Sequence, residues 1–381
     1  MNSNNKQFQA SNAQYQSFQS DQEEEEELKQ ENDEGIQNSE ISQIQNQNDA
    51  KSCISNVSRV KNSFISFPVI AILSIPSGFQ SYPKEEYSYI YTSYVQYFQQ
   101  SGLRIIPLNW TDSLENLENL MNKVNGLVLT GGGANLMMRV QEGEEKKFTQ
   151  FSKVAIFLIE LAKKKNEKGN YFPLWTTCLG FELLFLSFSN QEIRNQFDSK
   201  NHFAKQIFSK EAKTQSRILS KLSKSLIKCL EEEEFFYYNH KHGFSKKQFL
   251  ENPKINQNFN CIAYSKDQKG KQFVSIAEGK VYPFYGTQFH PEKLQFDQSS
   301  KNNKQFTINQ LRIAQHIPNF FYTECLKSNQ RFDSAQEQQS LLIENHQPVY
   351  KGGLDQGIYL FKNVQQIQNE INSNKQETNT K

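Results

Sequence analysis

Apolar residues in the middle of this chain fall into short runs that alternate with helical stripes. Phe67-Pro-Val-Ile-Ala-Ile-Leu73 is a continuous apolar run, as expected of a strand buried on both faces. Tyr87, Ile90, Tyr91, Tyr94, Val95 and Phe98 recur at helical spacing, with Gly102 as a stop signal, which predicts a helix over 87–98. Arg104-Ile-Ile-Pro-Leu108 reads as a second strand, Leu114, Leu117, Leu120, Met121 and Val124 as a helical stripe, and Gly126–Thr130 as a third strand. Phe151, Val154, Ala155, Leu158, Ile159 and Ala162 repeat the helical spacing before a strand at Phe172–Thr176. From about residue 255 the pattern changes to strands joined by short turns, with a hairpin formed by Gln272–Ala277, the turn Glu278-Gly279 and Val281–Phe289. The order predicts an α/β fold: a doubly wound, mostly parallel central sheet flanked by helices, with a β-rich C-terminal part. The aromatic stripe at 87–98 has no basic rim, so it reads as core packing and not as a surface for stacking bases.

The ends differ. Residues 1–62 are rich in Asn, Gln, Ser and Glu, include the acidic run Glu23–Glu27, and carry no periodic apolar residues. Such a segment cannot offset the entropy of ordering, so a disordered polar leader is expected there, and a disordered tail over 366–381. The stretches 300–310 and 327–339 look similar. These segments explain a mean hydropathy of −0.74 in a chain of 381 residues that still has enough apolar residues for a sizeable core over 63–365. The 43 basic and 41 acidic side chains leave a net charge of +2, which supplies no field to gather nucleic acid or an anionic membrane. Five cysteines, at 53, 178, 229, 261 and 325, are odd in number and form no Cys-x-x-Cys pair, so neither a disulfide scaffold nor a zinc site is indicated. No segment approaches the roughly 20 apolar residues of a membrane span. The opening Met-Asn-Ser-Asn-Asn-Lys lacks a signal-peptide pattern.

Candidate chemistry sits at the predicted strand ends, where ligands bind in open parallel sheets. Tyr171-Phe-Pro-Leu-Trp-Thr-Thr-Cys-Leu-Gly-Phe-Glu182 is an apolar strand that enters Cys178 and leaves as an apolar helix. A helix N-terminus directly after a cysteine is expected to lower its pKa toward the nucleophilic thiolate, and Gly180 allows a sharp turn. Gly131, Gly132 and Gly133 expose backbone N–H groups that suit either a phosphate or the oxyanion of acyl transfer; with no Gly-Lys-Ser/Thr, a P-loop is excluded. His290 lies in Gly286-Thr-Gln-Phe-His-Pro-Glu-Lys293, and Glu292 can reach the same imidazole across a tight turn set by Pro291. A cysteine, a histidine and a carboxylate behind it follow the logic of a catalytic triad.

These residues carry a resemblance. Trp175–Glu182 with Gln288–Lys293 resembles the class I glutamine amidotransferase-like superfamily, a flavodoxin-like fold. More closely the chain resembles the γ-glutamyl hydrolase family, peptidase family C26, through Ser88–Tyr97, Asn125–Asn135, Tyr171–Trp175, Asn239-His-Lys-His-Gly-Phe-Ser245, Tyr282–Gly286 and Leu342–Tyr350 with Tyr359–Phe361. The similarity spans about 67–362. It implies a nucleophile at Cys178, a general acid/base at His290 with Glu292 behind it, and a second important histidine at His240. It also implies backbone donors near Gly132 and of Leu179 for the oxyanion, with Glu182 and the glycine-rich loop at the glutamate end of the substrate. His240 and His242 as metal ligands is the competing reading, without a carboxylate or cysteine cluster to support it. His202, His316 and His346 read as surface or packing residues. Two departures stand out: Thr176 replaces the glycine usual two residues before the nucleophile, and Phe289 replaces the tryptophan usual before the histidine.

The resemblance implies a cysteine hydrolase that cleaves γ-glutamyl bonds of folate poly-γ-glutamates through a thioester, with a small-molecule substrate, no metal or organic cofactor, and a homodimer. Lysosomal, vacuolar or secreted location is typical of that family, whereas this N-terminus shows no signal and reads as cytoplasmic. The alternatives are a glutaminase or amidotransferase subunit of the same fold, and a non-catalytic γ-glutamyl-binding protein, toward which only Thr176 points.

Overall fold

The computed structural model describes residues 67–141, 144–234, 236–297, 306–350 and 356–364. The expected leader over 1–62 and tail over 366–381, and residues 300–305 of the polar stretch, lie outside the described residues.

Fourteen strands are described: β1 (Val69–Leu73), β2 (Ile75–Pro76), β3 (Tyr87–Tyr91), β4 (Arg104–Leu108), β5 (Gly126–Leu129), β6 (Leu174–Thr177), β7 (Asn195–Ala204), β8 (Ile207–Phe208), β9 (Phe236–Gly243), β10 (Phe259–Lys266), β11 (Gln272–Gly279), β12 (Phe284–Thr287), β13 (Pro348–Val349) and β14 (Ile358–Lys362). The main sheet has eight strands in the order β4-β1-β5-β6-β12-β11-β10-β8. β4, β1, β5, β6 and β12 run parallel, and β11, β10 and β8 continue the sheet antiparallel. The predicted parallel sheet and C-terminal hairpin are both present.

Period-two alternation splits the core into two faces. In β1, Val69, Ala71 and Leu73 enter one apolar cluster while Ile70 and Ile72 enter the other. The first face is covered by helices α2 (Leu114–Met121), α3 (Gln150–Glu167) and α4 (Leu179–Ser189), the second by α1 (Thr92–Gln99) and the helix Ile308–Cys325. Serine and threonine caps start several of these helices: Ser113 Oγ accepts from Asn116 N, and Thr149 Oγ1 from Ser152 N. Helix α4 lies unusually close to the sheet. A Cβ on Gly180 would stand 2.1 Å from the Leu129 carbonyl oxygen, a backbone atom that cannot move aside. Gly180→Ala is therefore expected to destabilise the fold by about 3 kcal/mol, read as a lowered urea midpoint.

Two expectations are corrected. The first is the helix over 87–98: Tyr87–Tyr91 is a strand, and the helix begins only at Thr92. Tyr87-Ser-Tyr-Ile-Tyr91 is rich in residues suited to a pleated surface, and it pairs antiparallel with β14, about 270 residues later, and with β2, inside a second sheet of order β13-β14-β3-β2. Spacing along the chain carries no trace of that pairing. The second correction is the polar stretches. A helix spans Ala335–Leu341 within and just beyond 327–339, started by Ser334 accepting from Glu337 N. At 307–310, Thr307 and Gln310 form a capping box that opens the helix Ile308–Cys325. Polar composition there reflects exposed helical faces and caps.

Candidate active site

Three parallel strands deliver the candidate residues to one sheet edge. β5 runs into Gly131–Gly133, β6 into Cys178, and β12 into His290. Cys178 is the pivot between β6 and α4, with φ 50° and ψ −102°, a backbone conformation costly for a residue with a Cβ. It is held by its neighbours on both sides: Cys178 N donates to the Thr287 carbonyl at 2.8 Å, Glu182 N donates to the Cys178 carbonyl at 2.9 Å, and Gly180 N donates to the Thr130 carbonyl at 3.1 Å. Strain of this kind is retained where the surroundings over-determine it. In urea melts, Cys178→Gly is expected to be about 1 kcal/mol more stable than Cys178→Ala, because only glycine relieves the dihedral; equal midpoints would contradict this.

His290 Nδ1 lies 2.8 Å from Glu292 Oε1, both side chains buried. Pro291 makes the predicted tight turn, and His290 N donates to the Tyr237 carbonyl at 2.9 Å. The carboxylate fixes the tautomer: Nδ1 carries the proton and Nε2 is left as the base. Tyr94 Oη stands 3.2 Å from the same Nδ1 and accepts from Gly131 N at 2.8 Å. A Cβ on Gly131 would lie 2.6 Å from His290 Cε1, 2.6 Å from Tyr94 Oη and 3.2 Å from Cys178 Cβ. One small gap, kept open by the absence of a side chain, is thus bordered by the thiol residue, the imidazole and the tyrosine.

The glycine-rich loop divides its work. The Gly131 N–H, expected as an oxyanion donor, is already taken by Tyr94. Among the described residues the Gly132 N–H has no hydrogen-bond partner, and a Cβ on Gly133 would meet nothing within 4 Å. The Leu179 N–H acts on the Cys178 sulfur and favours its thiolate. The glycine loop thus keeps one unpaired backbone donor at Gly132, and Leu179 supplies another at the start of α4.

Electrostatics overturn one expectation. Cys178 is not a low-pKa thiol: burial pushes it well up, and the charges of Glu182 and Glu292 add to this, against smaller opposing effects of the Leu179 N–H and Lys293. The helix N-terminus does act on the sulfur through Leu179, but desolvation and two carboxylates outweigh it. The thiol therefore rests protonated, and the nucleophile needs His290 as base.

Glu182, one turn into α4, faces the same cleft of about 1130 Å3. Arg194 Nη1 donates to Glu182 Oε2 at 2.6 Å, while Arg194 Nε and Nη2 donate to Glu192 at 2.9 and 2.6 Å. Burial, partly offset by Arg194 and reinforced by Glu192, pushes Glu182 up to about 7. Two carboxylates share one guanidinium, so protonating Glu182 removes the excess negative charge. A carboxyl raised above its ordinary value favours the fold when protonated; this contribution is full below about 4.5 and is lost as pH rises toward 7.

His240, in β9, is buried against Phe197, Tyr238 and Phe273. Its Nδ1 is 2.8 Å from the His242 carbonyl oxygen, and burial lowers its pKa to about 3, so the ring is neutral. The Nδ1–H donates to that carbonyl, and Nε2, which has no hydrogen-bond partner, is a buried acceptor at the cleft wall. Among the described residues no group of three or more His, Cys, Asp or Glu side chains is arranged to hold a metal ion. His202 and His316 bond backbone carbonyls of Lys266 and Ile218, and His346 packs on Phe361, away from the cleft. Sequence reasoning missed Tyr94, Tyr237, Glu192 and Arg194. Tyr94 was read as core, which it also is; nothing in the spacing marks Arg194.

The peptidase C26 family model matches residues 68–292, a span that includes Cys178, His240, His290 and Glu292. The chain belongs to the peptidase C26 family. Gamma-glutamyl hydrolase B of Dictyostelium discoideum is 30% identical over 317 residues, 82% of this chain and 88% of that protein. Gamma-glutamyl hydrolase of Rattus norvegicus is 32% identical over 275 residues, 72% of this chain and 83% of that protein. The human gamma-glutamyl hydrolase is 30% identical over the same shares. Among solved structures, the glutaminase domain of Trypanosoma brucei CTPS with bound acivicin covers 69% of this chain and 95% of that chain, at 13% identity and a TM-score of 0.44.

Within this peptidase C26 chain the two departures noted in the sequence have local compensations. Thr176 faces Gly286 across the β6–β12 pair and donates its hydroxyl to the Tyr285 carbonyl at 3.0 Å. A Cβ on Gly286 would stand 2.1 Å from Thr176 Oγ1, so the space the threonine needs comes from the partner strand. Phe289 stacks on Phe236 with ring centroids 3.6 Å apart.

Proposed function

We propose that residues 63–365 form a cysteine hydrolase that cleaves γ-glutamyl bonds of folate poly-γ-glutamates. The observation that carries the reading is the meeting of Cys178 and His290 across the side-chain-free gap at Gly131, with Glu292 at 2.8 Å holding the imidazole. His290 Nε2 takes the thiol proton as Cys178 Sγ attacks the γ-carbonyl carbon. The oxyanion forms beside the Gly132 and Leu179 N–H groups. As the C–N bond breaks, His290 returns the proton to the leaving amine, and a γ-glutamyl thioester remains on Cys178. Water, deprotonated by His290, attacks the thioester, and the departing sulfur is reprotonated.

Arg194 and Glu182 fit the two polar groups of a γ-linked glutamyl residue, its free α-carboxylate and its α-nitrogen. A pH dependence follows. Below about 7 Glu182 is protonated and the Glu182–Arg194–Glu192 cluster is neutral; above it the cluster is net negative and repels an α-carboxylate. The value of kcat/KM is expected to fall as pH rises through about 7, and Glu182→Gln is expected to lack that decline. An unchanged alkaline limb in the variant would contradict the assignment.

The test of function is purified protein incubated separately with folate pentaglutamate and with free glutamine. Shortened folates without ammonia release from glutamine are expected. Ammonia from glutamine with intact folate would favour the glutaminase reading, and binding of the folate without turnover the non-catalytic one.

A further inference from the structure

Beyond the scissile position the cleft does not end. A second basin of about 390 Å3 adjoins it, and the two share Lys200 and Lys241 as lining residues. Lys269 and Lys271 line the far part, giving four lysines against Asp198 and Asp267. Asp267 is committed to the turn beneath, accepting from the backbone N–H groups of Asp198, Lys269 and Lys271 at 2.9, 3.0 and 2.8 Å. Lys271 is anchored to the Gln196 carbonyl at 2.8 Å and lies over the Phe197 ring. Lys269 makes only a loose, exposed contact with Asp198 at 3.4 Å. The ammonium groups of Lys200 and Lys241 are exposed and meet no carboxylate among the described residues.

The Lys200 end of the basin connects to the histidine. Tyr237 packs beside His290, with ring centroids 6.1 Å apart, and its hydroxyl donates to Asn201 Oδ1 at 2.6 Å, next to Lys200. Asn201 has φ 48° at an irregularity in the β7–β9 pairing, the kind of bulge that re-aims neighbouring side chains. His290 is the group that protonates the leaving amine, so whatever is attached to that amine extends toward Lys200 and Lys241.

Resting on the hydrolase reading above, we propose that Lys200, Lys241 and Lys269 form a binding track for the distal, polyanionic part of the substrate, the glutamyl units beyond the bond being cut. Each γ-linked unit carries a free α-carboxylate, and a chain of several presents repeated negative charge to the lysines while its flexible backbone follows the bulged hairpin. The cleft is also lined by Met137, Met138 and Val140, apolar side chains suited to an aryl group. A track on the leaving side favours release of a glutamate oligomer over release of a single glutamate.

The test compares wild type, Lys200→Ala/Lys241→Ala and Lys269→Ala on folate diglutamate and folate pentaglutamate, with initial products identified by mass. In the double variant KM for pentaglutamate is expected to rise about tenfold, two exposed charge contacts of roughly threefold each, with diglutamate kinetics within about twofold of wild type. Raising the salt should erase the wild-type preference for the longer chain. Equal losses on both substrates, or no loss on either, would overturn the track, as would release of single glutamate alone by the wild type. Failure of wild type to cleave either substrate would instead remove the hydrolase reading on which the track rests.

Discussion

Cys178→Ala is expected to lower kcat on folate pentaglutamate by roughly 10⁴- to 10⁶-fold, the range seen when the nucleophile of a covalent mechanism is removed. No other described side chain replaces it. The remaining free cysteines described, Cys229, Cys261 and Cys325, do not line the cleft. The variant should remain folded, because the hydrogen bonds that hold the elbow run through the backbone of Cys178 and survive the substitution. Circular dichroism and a urea melt check the fold, and product mass analysis checks turnover. Residual activity within tenfold of wild type in a folded variant would remove Cys178 from the mechanism.

His290→Ala should fall by a comparable factor, about 10⁴-fold or more, for a reason specific to this site. Burial and the two nearby carboxylates make the Cys178 proton hard to lose, so without the imidazole almost no thiolate exists near neutral pH. A cysteine with a low pKa would tolerate loss of the histidine better in the attack step; this one should not. The double variant Cys178→Ala/His290→Ala should be scarcely worse than either single one, since groups that act as a unit are lost together. Multiplicative losses would mean that the two residues act independently. Glu292→Gln should cost less than His290→Ala, because Tyr94 still touches Nδ1 at 3.2 Å and part of the ring's orientation is kept.

Much of the main sheet was legible because each buried parallel strand writes a continuous apolar run and each covering helix a stripe, as at Val69–Leu73 and Gln150–Glu167. The second sheet was not, because Tyr87–Tyr91 owes its strand state to β14 at the far end of the chain. Cys178, His290 and Glu292 were legible for a related reason. An elbow and a His-Pro-Glu turn are local features, and the sheet topology brings two such features to one edge. Arg194 reaches Glu182 from 12 residues along the chain and Tyr94 reaches His290 across 196, and neither stands in a distinctive local context. The thiol's high pKa was hidden as well. The helix N-terminus is visible in the sequence, whereas the depth of burial and the nearness of Glu292 exist only once β6 and β12 pair.

A γ-glutamyl thioester on Cys178 is detected most directly by peptide mass mapping of protein acid-quenched during turnover of folate pentaglutamate. A peptide containing Cys178 is expected to carry the mass of the acyl portion of the substrate and to lose it to hydroxylamine. Turnover at full rate with a Cys178 peptide that never carries an adduct, while another residue does, would contradict it.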